Sequence, residues 1–266
     1  DKERLVGRTP IDGTNTDWEV RTEKQKVQDG ELFTFRFKAL KDMPESGVAV
    51  AFDRYRWTSD NYVMIPASVY NGNRQRIVNR NYATGLDPSE YLRQDLALTS
   101  NPIPQLSPDF GSSSRLEVRV CNAATPVIAF LDRQKQEGVL LLTDQGIERD
   151  GQIIDHALIV EEAPDRSMAS FVISAPGVRE KKPEFIGFSP SPDCGLAIRK
   201  GDEITIRVTR LSYPCHDVPQ LLGHFMHDRK RHIRCAAPRH LVPMSEVLSI
   251  MDRNIDARYY QKDSVE

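Results

Sequence analysis

Leu32-Phe33-Thr34-Phe35-Arg36-Phe37-Lys38-Ala39 is the stretch that decides the fold. Phe33, Phe35 and Phe37 alternate with Thr34, Arg36 and Lys38, so one face is apolar and the other polar at a repeat of two, as in a half-buried strand. Runs of strand length, rich in branched and aromatic residues, recur at Val48–Phe52, Tyr62–Ile65, Leu116–Val120, Val127–Leu131, Val139–Thr143, Ile153–Val160, Met168–Ala175, Glu184–Phe188 and Ile204–Leu211. Between them stand Asp29-Gly30, Asn71-Gly72, Asp150-Gly151 and Lys200-Gly201-Asp202, pairs and triplets that supply positive φ for tight turns. No long amphipathic helix alternates with these strands before about residue 215, which excludes a doubly wound parallel sheet. The expectation is an all-β protein: a large two-sheet antiparallel sandwich with a short helical C-terminal extension.

The repeat changes after Tyr213-Pro214. Leu221, Leu222, Phe225, Met226, Arg229 and Ile233 fall three and four apart, which predicts a helix over Val218–Ile233. A second helix is expected from Ser245, its N-cap, with Val247, Leu248, Met251 and Ile255 on one face. Three segments follow: a sandwich over 1–212, a linker helix and loop over 213–243, and the start of a helical domain over 244–266. The stretch from Asn71 to Ser114 is longer than an ordinary connection and rich in Asn, Pro and Ser, with one short helix expected after Asp87.

The chain has 266 residues, 39 % of them hydrophobic and 28 % charged, and a mean hydropathy of −0.49. That length buries roughly 70–75 % of the unfolded surface. Its 36 basic and 38 acidic residues give a net charge of −2, which argues against a nucleic-acid partner, and no apolar run is long enough to span a bilayer. Four cysteines, Cys121, Cys194, Cys215 and Cys235, are too few for a disulfide scaffold and leave the redox compartment open. Cys215, His216, His224, His227, His232 and Cys235 lack the spacing of a metal site and read as polar positions of a helix. Neither a metal nor a cofactor is expected, and no local signature of nucleophilic or nucleotide chemistry occurs.

The ligand-like stretch is 53–74. Sugars are held by carboxylates, amides and guanidinium groups that match hydroxyl pairs, and by aromatic faces covering the ring. Asp60, Asn61, Tyr70, Asn71, Asn73 and Arg74 are therefore the candidate carbohydrate-binding residues, expected at one rim beside the long connection. Arg74 either binds paired hydroxyls or a uronic carboxylate, or pairs with an acid of its own chain and fixes the loop. Tyr55, Trp57 and Tyr62 are either ligand aromatics or members of the core.

The run Trp57-Thr58-Ser59-Asp60-Asn61-Tyr62-Val63-Met64-Ile65-Pro66-Ala67-Ser68-Val69-Tyr70-Asn71-Gly72-Asn73-Arg74, followed by Phe171-Val172-Ile173-Ser174-Ala175-Pro176-Gly177-Val178-Arg179-Glu180, resembles the N-terminal region of bacterial proteins related to six-hairpin glycosidases, of the gut-Bacteroidetes type. The resemblance implies a β-supersandwich similar to galactose mutarotase, preceding an (α/α)6 toroid that carries the catalytic carboxylates. It further implies that 244–266 opens a toroid whose remainder is absent from this sequence, and that the parent acts on an oligosaccharide or polysaccharide in the periplasm or outside the cell. No catalytic acid or base of that family maps onto this chain. A free-standing carbohydrate-binding module and a mutarotase-like epimerase are the alternatives; the second would need His156 and a nearby Glu.

Overall fold

The computed structural model describes residues 13–14, 16–70, 74, 104–111, 113–184, 187–232 and 244–258. Asn71, Asn73 and the helix expected after Asp87 lie outside them. In chain order the strands are β1 (Gly13–Thr14), β2 (Trp18–Val27), β3 (Gly30–Ala39), β4 (Met43–Ser46), β5 (Val48–Tyr55), β6 (Tyr62–Ile65), β7 (Val69–Tyr70), β8 (Ser114–Arg119), β9 (Val127–Asp132) and β10 (Glu137–Thr143). They continue as β11 (Ile147–Arg149), β12 (Gln152–Ile154), β13 (Ala157–Glu162), β14 (Met168–Ala175), β15 (Lys181–Glu184), β16 (Gly187–Pro190), β17 (Leu196–Ile198) and β18 (Glu203–Pro214). Two helices follow, α1 (Val218–His232) and α2 (Met244–Arg258).

All strand pairings among the described residues are antiparallel. The larger sheet runs β1-β2-β3-β18-β10-β9-β6-β7, with the β11–β12 hairpin joined to β18, and the smaller runs β5-β14-β13-β8. The two face each other across one core, in which Phe37, Val63, Phe130, Leu141 and Ile206 of the larger sheet meet Val50, Leu116, Leu158, Phe171 and Ile173 of the smaller. This is the expected two-sheet antiparallel sandwich. Phe130 and Phe171 stack at 4.3 Å, and Trp57 meets both edge-on at 5.7 and 5.5 Å, so one aromatic triplet ties the layers together. Truncating such a ring to alanine costs about 3–5 kcal/mol.

Three local readings change. The expected strand Ile153–Val160 is two strands, β12 and β13, broken at Asp155-His156, and Glu184–Phe188 straddles the β15–β16 hairpin. β2, ten residues long, pairs with the whole of β3. Asp150 and Gly151 both have positive φ, 46° and 76°, and close the β11–β12 hairpin with the twist that two-residue turns favour.

β9 and β10 are buried on both faces, because α1 covers the side turned away from the core. Leu221 and Phe225 of α1 pack among Leu131, Leu140, Leu142 and Leu211. Asp217 caps the helix by accepting from the Gln220 N–H at 2.8 Å. The contacts group the chain into two units, 1–234 and 235–266, so α1 belongs to the sandwich unit. Tyr213 Oη donates to the buried Asp228 carboxylate at 2.6 Å and its ring stacks on His224 at 4.1 Å. Replacing Tyr213 by phenylalanine is expected to cost about 1–3 kcal/mol in urea unfolding, because Asp228 is left without its closest donor. No change would show that Arg231 and His227, about 4 Å from Asp228, suffice.

Within the second unit, Leu248, Ile250, Met251 and Ile255 of α2 are exposed. Ser245, expected to precede that helix as its cap, lies inside it. Neither helix is long and apolar enough to cross a membrane.

Candidate functional site

β13 carries Leu158, Val160 and Glu162 at alternate positions, all buried. The repeat that sends two aliphatic side chains into the core therefore sends a carboxylate there as well. A buried carboxylate must be paired and hydrogen-bonded, and Glu162 is. Trp57 Nε1 donates to its Oε1 at 2.7 Å, and Arg74 binds it with both terminal nitrogens, Nη1 to Oε2 at 2.7 Å and Nη2 to Oε1. Arg166 Nε lies 3.4 Å from Oε2. Arg166 sits at φ 59° in the 163–167 turn, a backbone region costly for a side chain of its size and held here by tertiary contacts. Its guanidinium donates to the carbonyls of Ala163 and Asp109 and lies 5.5 Å from the ring centre of Phe110.

Glu162 thus gathers the two ends of the long connection. Arg74 stands just before 75–103 and is bound to the carboxylate directly. Residues 104–111 stand just after it and are tied through Arg166, through the buried Leu106 and through the Gly111 N–H to Pro164 O bond of 3.1 Å. Both feet rest on one corner of the sandwich.

Of the six candidate residues, four are described. Asp60 is exposed and its carbonyl accepts from Arg133 Nε at 2.9 Å. Asn61 is buried; its Oδ1 accepts from the Arg133 N–H at 3.0 Å, which makes it a pin of the β9–β10 turn. Tyr70 is exposed on the edge strand β7, and its hydroxyl accepts from the Ala67 N–H. Arg74 takes the second of the roles open to it, pairing with an acid of its own chain. Trp57 and Tyr62 belong to the core and Tyr55 is exposed. Phe110, also exposed, was not singled out from sequence; a lone aromatic in a Ser/Pro/Gly-rich stretch is the signal that was there.

Beside this corner, Arg54 of β5 bridges the two sheets. It donates to the fully buried Asp132 at 2.8 and 3.0 Å and to Glu137. At the opposite end, a groove of about 430 Å³ is lined by Arg119, Cys121, Gln145 and Asp155 among others. Burial and the neighbouring Asp155 push the Cys121 thiol up, away from the thiolate a nucleophile needs. His156, behind that end, is fully buried, with Nε2 2.8 Å from Thr143 Oγ1. Gly177 passes so close to the His156 carbonyl that a Cβ there would lie 2.9 Å from its oxygen.

No protein-family model, curated protein or solved structure matches the chain. The arrangement of its own side chains is therefore the ground for a functional reading.

Proposed function

We propose that the chain is a non-catalytic, saccharide-binding β-sandwich that supports, and partly lines the cleft of, a following helical domain in an exported glycoside-hydrolase-like parent. The observation that carries this reading is the pair of exposed aromatics flanking the 163–167 turn. Tyr55 stands opposite Met168 at the end of β5, and Phe110 covers Arg166. Aromatic faces beside polar side chains are what a sugar ring requires. The buried acids Glu162 and Asp132 are committed to arginines, which suits a supporting domain better than an acid–base site. The exposed apolar side chains of α2 support a helical partner.

Calorimetric titration of the protein with neutral and uronic oligosaccharides tests the reading. Tyr55→Ala and Phe110→Ala are each expected to weaken binding about tenfold, about 1.4 kcal/mol, with stability changed by less than about 0.5 kcal/mol. Arg74→Ala is expected instead to lower stability by about 1–3 kcal/mol and to spare binding. Absence of binding by every glycan at millimolar concentration would remove the saccharide reading.

A further inference from the structure

Between Thr143 and His156 the chain makes one excursion and changes sheets. β10 ends at Thr143 in the larger sheet, the β11–β12 hairpin follows beside β18, and the chain then crosses at Asp155-His156 to begin β13 in the smaller sheet. The two residues at the base of the excursion are bonded to each other, His156 Nε2 to Thr143 Oγ1 at 2.8 Å. One side-chain bond therefore closes the excursion and ties the two layers at this end.

The crossing is held by few other bonds. The Val120 N–H donates to the His156 carbonyl at 2.9 Å and the Gly177 N–H to that of Asp155 at 3.1 Å, while Arg119 binds the Asp155 carboxylate at 2.7 Å. The groove of about 430 Å³ lies beside it, lined both by Gln145, Ile154 and Asp155 of the excursion and by Val120, Cys121 and Pro126.

His156 is fully buried, and among the described residues its Nδ1 has no partner. The imidazolium carries an N–H on both nitrogens, so protonation adds a charge and a donor that nothing in this setting accepts. That costs more than one unpaired neutral atom. The charged groups on the elements around the ring are already engaged: Asp155 beside it with Arg119, Asp144 after Thr143 with Arg207 at 3.8 Å, and Arg179 beyond Gly177 with Asp193 at 2.8 Å. Cys121, after Val120, has its thiol pushed up and kept neutral.

We propose that the His156–Thr143 bond is an acid-sensitive latch: when the ring takes up a proton, the crossing at Asp155-His156 lifts away from Val120 and Gly177 and the groove beside it opens towards the core. The opening is local. β11 stays on β18 through Glu148 and Arg149, and the Arg149 side chain holds Asp202 at 2.8 Å. Leu141, in the middle of β10, keeps its neighbours on β9 and β18.

Amide exchange of the whole chain between pH 4 and 7, corrected for intrinsic rates, tests the latch. Protection of the Val120 and Gly177 amides, which donate to the crossing, is expected to fall about tenfold for each pH unit from about 6.5 to about 4. Low urea is expected to leave their exchange unchanged while accelerating that of Leu141, which separates local opening from global unfolding. His156→Gln is expected to remove the pH dependence. Thr143→Val keeps the histidine and deletes the bond, and is expected to lower protection of both amides about tenfold at pH 7. Four results would overturn the proposal: protection independent of pH, a urea dependence equal to that of Leu141, a pH dependence that survives in His156→Gln, or unchanged protection in Thr143→Val.

Discussion

Replacing Glu162 with glutamine is expected to lower the stability of the sandwich by about 3–5 kcal/mol, with a fall in Tm on the order of 10 °C. The side chain is fully buried and Arg74 and Arg166 converge on it, with side-chain exposures of 11 % and 2 %. Glutamine keeps the shape and an acceptor for Trp57 but removes the charge that both guanidinium groups face. An uncompensated buried charge costs far more than the pair contributes when intact. Arg74→Ala is the milder change, because Arg166 still faces the carboxylate. Equilibrium urea unfolding distinguishes the two, and a loss below about 1 kcal/mol for Glu162→Gln would show that the guanidinium groups find other partners.

Much of this corner was legible in principle. Leu158, Val160 and Glu162 share a parity, so the repeat that identified β13 also placed Glu162 on its buried face. Its partners were not legible, because Arg74 and Trp57 lie 88 and 105 residues away in sequence and meet it only after the sheets have formed. The sandwich itself followed from the period-two runs. β2 escaped notice because only Trp18 and Val20 are buried at its start, while Arg21, Glu23, Lys24, Gln25 and Lys26 are exposed, so most of its length lacks an apolar repeat. Val139-Leu140-Leu141-Leu142 shows the opposite case. A strand covered by the core on one face and by α1 on the other has no need to alternate. The split of β12 from β13 turns on Asp155, whose carboxylate is taken by Arg119, and on His156, whose ring is buried.

That histidine sets the second large effect. Burial holds the His156 pKa down at about 4, against an ordinary 6.5, with nearby Asp155 opposing only weakly. Between those two values the unfolded chain takes up a proton that the native state refuses, so stability decreases as pH falls from about 6.5 to about 4 and then levels off. Each pH unit across that window is worth at most about 1.4 kcal/mol, which gives a loss of about 3 kcal/mol. Urea unfolding across pH 4–7 measures it, and His156→Gln is expected to flatten the curve there. Asp193 supplies an internal control, because its hydrogen bonds from Arg179 hold it down at about 2. Its contribution is intact above the ordinary carboxylate value of 3.8 and is lost only as pH falls from there towards 2. A slope between pH 4 and 6.5 that persists in His156→Gln would assign the effect to another group.

The corner at Glu162 also sets how the chain tolerates change in length. Because Arg74 and residues 104–111 are both fastened there, the sandwich fixes the end-to-end distance of the span between them whatever that span contains. Closing a span between fixed ends costs entropy that grows only with the logarithm of its length, about 0.6 kcal/mol for each doubling. Residues 75–103 can accordingly be exchanged for a stretch of different length and composition at little expense to the core, provided Arg74, Glu162 and Arg166 stay. The corner then acts as a graft point, at which recognition could diversify while the supporting sheets remain unchanged.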